Sequence, residues 1–301
     1  MPLSLGGVQI IALTSIFTPV SIAALGLRLW SRRINNSSLA FSDYTAILAL
    51  IFTIAEISCS LVGASGLHIT EITATNSSLL QTYLKLAIAG GILWAAANTC
   101  VKLSILSLYT TLFPNHKVHY VCYGTMATSV AFFIIAFLQS FLLCTPVQFN
   151  WDKRIPGGVC NQSIGFLLPG MMNLVIDAFI VVLPMPILFK LHLPLFKKLG
   201  IAVMFSLGAV ICIISLFRIL ALLEWNLEDV TFESTRISIF SLAEPTLGVI
   251  NACLPTIKPA LYRLCGKEVR GGSKTYPRNI RRSDLDESRR NQTPTTESQT
   301  G

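Results

Sequence analysis

The chain predicts an all-α membrane protein: a seven-transmembrane helix bundle with the N-terminus outside and the C-terminus cytoplasmic. Three observations carry that prediction. Seven long apolar runs fill most of the 301 residues, each near the roughly 20 residues a helix needs to cross a bilayer. Charged residues are only 13% of the chain, half of the roughly 25% found in soluble domains. The segments between the runs alternate from basic to acidic or neutral. Hydrocarbon offers no water to satisfy backbone amides, so runs of this kind form helices.

The first run, Gly7–Leu29, closes on Arg28, with Arg32 and Arg33 just beyond. Basic residues after the apolar stretch, not before it, mark a first span entering from outside and not a cleavable leader. The second run, Tyr44–Ala64, carries Glu56. The third, Leu86–Leu112, carries Asn98 and Lys102 together with Gly91, Ala95 and Thr99, a small-residue face suited to close helix packing. The fourth, Val121–Leu143, leads into Cys144. The fifth, Ile164–Phe189, holds Asn173 and Asp177 ahead of Pro184 and Pro186, and the sixth, Leu199–Leu223, holds Arg218. The seventh, Ile237–Ile257, holds Glu244 and Asn251 beside Pro245 and Pro255, which remove backbone donors and bend a helix.

Loop charge sets the orientation. The first loop has Arg28, Arg32 and Arg33, the third has Lys117 beside His116 and His119, and the fifth has Lys190, Lys197 and Lys198. Ten more Lys and Arg lie in Lys258–Gly301. On the other side the second loop, Ser65–Tyr83, has none, the fourth has Lys153 and Arg154, and the sixth has none but carries Glu224, Glu228, Asp229 and Glu233. Positive loops stay cytoplasmic. Residues 1–265 are expected to form the membrane domain, and 266–301, poor in apolar residues, a disordered basic cytoplasmic tail. The net charge of +8 collects at that tail and at helix ends, where anionic lipid attracts it. No basic face with interleaved aromatics lies outside the runs, so nucleic acid is not an expected partner; the lipid bilayer is. A small-molecule ligand and a cytoplasmic signalling partner stay open, and the host membrane is the plasma membrane or an endomembrane.

On this orientation Asn76 and Asn161 are the sequons on the outer side, and so the candidates for glycosylation. Cys144 and Cys160 both fall in the fourth loop, 16 residues apart. An oxidising lumen permits a bond between them, which would fold the stretch between into a lid over the outer end of the bundle. Cys265, in the basic stretch after the last run, is a candidate for palmitoylation.

Ionisable side chains inside a membrane are costly and face the bundle interior. Here they are Glu56, Lys102, Asp177, Arg218 and Glu244, with Asn98, Asn173 and Asn251 nearby. Asn98 and Lys102 are four residues apart, as are Asn173 and Asp177, so each pair shares a helix face. Counting about 1.5 Å of rise per residue puts Glu56, Asn98, Asp177 and Glu244 near mid-membrane. Lys102 and Asn251 fall about one turn further in, and Arg218 nearer the outside. The expectation is one inward-facing polar network, serving a ligand, an ion path or a conformational switch, or else simply holding the bundle together.

Several activities lack their residues. Retinal needs a lysine in the middle of the seventh helix, where this chain places only Lys258 at the end; His68, His116, His119 and His192 fall in loops, away from any membrane haem. No Gly-rich phosphate loop, HExxH or GxSxG element is present, so no catalysis, cofactor or metal is expected.

Four stretches resemble the fungal rhodopsin-domain integral membrane proteins, a group with Pth-type receptor-like members and the membrane protein of the satratoxin gene cluster. They are KLSILSLYTTLFP at Lys102–Pro114, CTPVQFNWD with GGVC around Cys144–Cys160, Asn173–Ile219, and SLAEPTLGVINACLPTIKP at Ser241–Pro259. Matching positions include Lys102, Cys144, Trp151, Cys160, Asp177, Arg218, Glu244 and Pro255. The acidic pair usual before the second helix is Ser42-Asp43 here, and Phe240 stands where a Trp is expected. The resemblance implies a receptor-like sensor or a membrane protein associated with a secondary-metabolite cluster. A small-molecule transporter, an export accessory and a non-catalytic scaffold for a biosynthetic pathway remain alternatives.

Overall fold

The structure is a computed structural model that describes residues 5–34, 36–65, 77–112, 116–152, 154–160, 162–185, 195–223 and 230–264. The chain divides into two compact units, Met1–Leu261 and Tyr262–Gly301, and the helix bundle described here belongs to the first. Asn76, Asn161, Cys265 and the tail 266–301 lie outside the described residues.

Seven long helices account for most of the described residues: α1 (Leu5–Ile34), α2 (Phe41–Ser65), α3 (Ser77–Leu112), α4 (His116–Leu142), α5 (Gln162–Val182), α6 (Leu195–Leu223) and α7 (Val230–Leu264). Six contain a stretch long and apolar enough to cross a membrane: Gly7–Ile34, Phe41–Val62, Gln81–Leu112, His116–Leu142, Val203–Leu223 and Arg236–Ile257. In α5 the apolar stretch is shorter, Leu167–Val182. The helix α5 ends at Val182 and a turn follows at Leu183 and Pro184; the rest of the expected fifth run, residues 186–189, lies outside the described residues. Pro184 lacks an N–H and disfavours helical geometry in the residue before it. Leu183 N still donates to Phe179 O at 2.9 Å, closing the last turn.

The turn between α1 and α2 is built from local chemistry. Asn36 adopts the left-handed conformation at φ +47°, which Asn tolerates better than most residues. The amides of Asn36 and Ser37 then reach back to the carbonyls of Arg33 and Arg32, each at 3.1 Å, satisfying acceptors that a helix end leaves open. Asp43 Oδ2 accepts the Ala40 amide at 2.9 Å, the side-chain half of a capping box at the start of α2.

In the core, α2 packs along α3, α3 against α4, α5 against α6 and α1 against α2. The helix α3 contributes Trp94, Ala95, Val101, Ile105, Leu106 and Tyr109 to the main buried cluster. The outer surface is apolar: Ile16, Ile51, Leu138, Val175, Ile213 and Phe217 are all exposed. Arg28, Asp43, Lys102 and Glu244 meanwhile are almost wholly buried. Oil outside and charge inside is how a chain solvated by hydrocarbon must distribute its residues.

Glycines set two close approaches. A Cβ on Gly248 of α7 would fall 2.8 Å from Val101 Cγ1 of α3, and one on Gly208 of α6 would fall 2.7 Å from Val181 Cγ2 of α5. Small residues let helix backbones approach where no hydrophobic force drives them together.

Candidate functional site: a buried ionic cluster

Glu244 on α7 is the hub. Its Oε1 accepts Ser215 Oγ of α6 at 2.9 Å and Asn173 Nδ2 of α5. Its Oε2 accepts Trp94 Nε1 of α3 at 3.3 Å and lies 3.7 Å from Arg218 Nη1 of α6. Four helices thus converge on a single carboxylate with no solvent exposure. Ser215 and Arg218 are three residues apart, so one face of α6 presents both.

A second pair is joined to the first through one amide. Lys102 Nζ of α3 sits 2.8 Å from Asp177 Oδ1 of α5 and donates to Asn173 Oδ1 at 2.8 Å. Asn173 Nδ2 donates to Asp177 Oδ2 at 3.0 Å as well as to Glu244. The orientation of the Asn173 amide therefore follows from its neighbours: oxygen toward the ammonium, nitrogen toward two carboxylates. Charges buried in this way persist when they are paired and hydrogen-bonded.

Arg218 also lies over Trp94, its guanidinium carbon 3.6 Å from the ring centroid. That is a cation–π contact strengthened by desolvation. Trp94 in turn meets Phe132 edge to face at 6.2 Å. The cation thus has two partners, an aromatic face and a carboxylate, and Gly170 of α5 makes space for it. A Cβ there would stand 3.2 Å from Arg218 Nη2.

A separate clamp lies along α1, α2 and α7. Arg28 Nε is 2.8 Å from Asp43 Oδ1, and Arg28 Nη1 donates to Ala252 O of α7 at 2.6 Å. Arg32 Nε lies 3.1 Å from Asp43 Oδ2. Ser21 Oγ donates to Thr246 O at 3.3 Å and Ser31 Oγ to Thr256 O at 2.6 Å. Arg28 was expected as a loop charge; it is instead a fully buried residue inside α1, held there by Asp43.

The segment between α4 and α5 is closed by the Cys144–Cys160 disulfide. Around it, β1 (Cys144–Thr145) pairs antiparallel with β2 (Val159–Cys160). A 3-10 turn at Val147–Asn150 lies between them. Asn150 Nδ2 donates to Phe141 O at 3.2 Å, covering one of the open carbonyls at the end of α4. Gly157 turns the chain at φ +82°. A Cβ on Gly158 would fall 2.2 Å from the Phe149 ring.

Of the residues predicted to share a network, Lys102, Asn173, Asp177, Arg218 and Glu244 come together. Glu56 is buried within electrostatic reach of Glu244 and Arg218, and its Oε2 makes no hydrogen bond. Asn98 instead donates back to Trp94 O at 3.2 Å. Asn251 is buried with its Oδ1 lacking a hydrogen bond. Trp94 and Ser215 were not foreseen, and neither was the Arg28–Asp43 clamp. The arrangement pairs carboxylates with cations, amides and a hydroxyl. Among the described residues no three His, Cys, Asp or Glu side chains stand together to hold a metal ion.

Comparison with known proteins agrees with this picture. The fungal rhodopsin domain family matches residues 27–263, a range that includes both ion-pair systems and the disulfide. A polyenoic acids biosynthesis gene cluster protein, Ba17b of Metarhizium anisopliae, is 26% identical over 91% of this chain and 80% of its own length. Receptor GIN3 of Arthrobotrys oligospora is 27% identical over 83% of this chain and 61% of its own length. A SAT4 family membrane protein of Emericella nidulans is 29% identical over 66% of this chain and 50% of its own length. The chain thus spans between half and four fifths of these relatives. No solved structure matches it.

Proposed function

We infer the function from one premise: this chain belongs to the fungal rhodopsin domain family, and it is an integral membrane protein. We propose that it is a seven-helix sensor of a small molecule, with its N-terminus outside, its basic tail in the cytoplasm and no catalysis of its own. The observation that carries this reading is the cluster around Glu244. Helices α3, α5, α6 and α7 meet there through charges that are paired inside the protein. A ligand that competes for one member must re-pair the others, so its binding free energy reaches four helices at once. That is the property a conformational switch needs, an element with discrete arrangements biased by a ligand. That one relative, receptor GIN3 of Arthrobotrys oligospora, is named a receptor supports the same reading.

A second reading draws on the relatives described as biosynthesis cluster proteins. In it the protein exports or scaffolds a secondary metabolite. Two measurements separate the readings. Flux of a candidate metabolite is measured in vesicles bearing the wild type, Asp177→Asn or Glu244→Gln, and a transcriptional response to the same compound is measured in cells. The sensor reading expects no flux, and a response that both substitutions abolish. Flux that both substitutions abolish supports transport, and indifference to both supports a scaffold. Tags on the two termini, probed in intact and permeabilised cells, test the orientation: only the N-terminal tag should be reached in intact cells.

A further inference from the structure

Two guanidiniums share one carboxylate where α1 meets α2. Arg28 Nε lies 2.8 Å from Asp43 Oδ1, and Arg32 Nε lies 3.1 Å from Asp43 Oδ2. Guanidiniums keep their charge in proteins, and a carboxylate supplies at most a single negative charge. Positive charge is therefore in surplus here whatever the state of the acid. Among the described residues no other carboxylate pairs with either arginine.

The shortfall falls on Arg32. Arg28 donates to Oδ1 and, through Nη1, to the Ala252 carbonyl at 2.6 Å. Oδ2 accepts the Ala40 amide at 2.9 Å. Arg32 Nε, close as it is, stays buried without a hydrogen bond. Arg28 Nη2 is open too, but that side chain is sealed from the surface. The side chain of Arg32 is 24% exposed, against 0% for Arg28 and for Asp43. Native folds rarely leave a buried donor open, and this one stands on a side chain that reaches outward.

The setting is the edge of the membrane. The apolar stretches Gly7–Ile34 and Phe41–Val62 end and begin on either side of this turn. Trp30, Phe41 and Tyr44 are exposed around it, and aromatic side chains collect at the level of lipid headgroups. Arg33, next to Arg32, is exposed as well.

We propose that Arg32 anchors a binding site for the phosphate of an anionic phospholipid, seated on the α1–α2 turn. Guanidinium donors match phosphate oxygens as a bidentate fork. The exposed apolar surface beside the cation selects a lipid over a soluble anion or an acidic protein. The phosphate balances the surplus charge, and Asp43 is left to Arg28. Lipid binding is thereby coupled to the clamp that ties α1 and α2 to α7. This inference goes beyond the sensor reading and requires only the membrane, since neither the orientation nor a ligand at Glu244 enters it.

The experiment places the full chain in mixed micelles holding equal amounts of phosphatidylglycerol and phosphatidylcholine, and native mass spectrometry counts the lipids retained. Phosphatidylglycerol should be retained over phosphatidylcholine by about fivefold, the attraction of a single arginine for an anionic membrane surface. Arg32→Gln should bring the two lipids to parity, while Arg33→Gln should leave most of the preference. Arg154→Gln, an exposed arginine between α4 and α5, should leave all of it. The unfolding midpoint of the wild type should rise with the phosphatidylglycerol fraction, as a bound ligand requires, and that of Arg32→Gln should not. Parity in the wild type would overturn the proposal and leave Arg32 to an acidic protein partner. Equal losses from Arg32→Gln and Arg33→Gln would overturn it as well, because diffuse charge would then explain the preference. If Arg32→Gln does not fold, Arg32→Lys, which keeps the charge without the fork, should still lose more than Arg33→Gln. The response assay for the sensor reading is unaffected by any of these outcomes.

Discussion

Arg28 and Asp43, fifteen residues apart on successive helices, meet at 2.8 Å with neither side chain touching solvent. One guanidinium thereby joins α1 to α2 through a carboxylate and to α7 through the Ala252 carbonyl. Removing one member of such a pair leaves the other buried and uncompensated, at a cost of about 3–5 kcal/mol. Asp43→Ala should lower the thermal unfolding midpoint sharply. Arg28→Met with Asp43→Leu together should recover much of the loss, because no bare charge remains. Equal damage from the single and double variants would show that the pair does more than compensate charge.

The cluster around Glu244 predicts a coupled series. Lys102→Met and Asp177→Leu share partners in Asn173 and each other, so their effects on stability should be non-additive by about 0.5–3 kcal/mol in a double-mutant cycle. Additive losses would mean the two side chains act independently.

Trp94 offers a spectroscopic reporter. Arg218 rests 3.6 Å from its ring centroid and its indole N–H donates to Glu244. Glu244→Gln, which removes the anion but keeps the shape, should change the emission assigned to Trp94 by difference against Trp94→Phe. It should also destabilise the protein, because Arg218 loses its carboxylate partner. An unchanged difference spectrum would place Trp94 outside the cluster's electrostatic reach.

Two helix contacts depend on the absence of a Cβ. Gly248→Ala should cost about 1–3 kcal/mol by overpacking against Val101, and Val101→Ala on the same chain should relieve most of it. Gly170→Ala should press on Arg218 Nη2 and disturb the Trp94 signal more than it disturbs overall stability. Thermal unfolding of the single and paired variants reads the first effect, and difference emission reads the second.

Cys144→Ser should cost about 3 kcal/mol in the chain-entropy account of a loop this size, read as a lower unfolding midpoint. Dithiothreitol should lower the wild-type midpoint to that of the variant and leave the variant unmoved. The segment's other contacts, Asn150 to Phe141 O and the packing of Phe149 against Gly158, should keep the variant folded.

The helices and most of the cluster were legible because apolar length and intramembrane charge are local signals. Lys102, Asp177, Arg218 and Glu244 stand out in any reading, since a charge inside a long apolar run is rare. The disulfide was legible for a similar reason, two cysteines in one short loop. Arg28 was not, because counting positive charges at the end of a run treats every arginine there as loop. Whether its guanidinium turns inward depends on Asp43 and on a carbonyl 224 residues away. Trp94 and Ser215 are unremarkable residues in a membrane helix, and only their approach to Glu244 gives them a place. Asn98 shows the opposite error: its spacing from Lys102 put it on the right face, yet its amide is taken up by the backbone of its own helix. The break at Leu183–Pro184 was hidden because hydrophobicity continues through it.

The three donors that α1 extends to carbonyls of α7, from Ser21, Arg28 and Ser31, bear on how the chain is made. A ribosome delivers α1 first and α7 last. Asp43 reaches Arg28 with the very next helix, but the Ala252 carbonyl arrives only after four further helices have been made. The growing chain must therefore wait in the membrane with its earliest helix incompletely matched. Arrival of α7 is the event that completes these contacts, and damage to α7 should be felt at birth as much as in the finished protein.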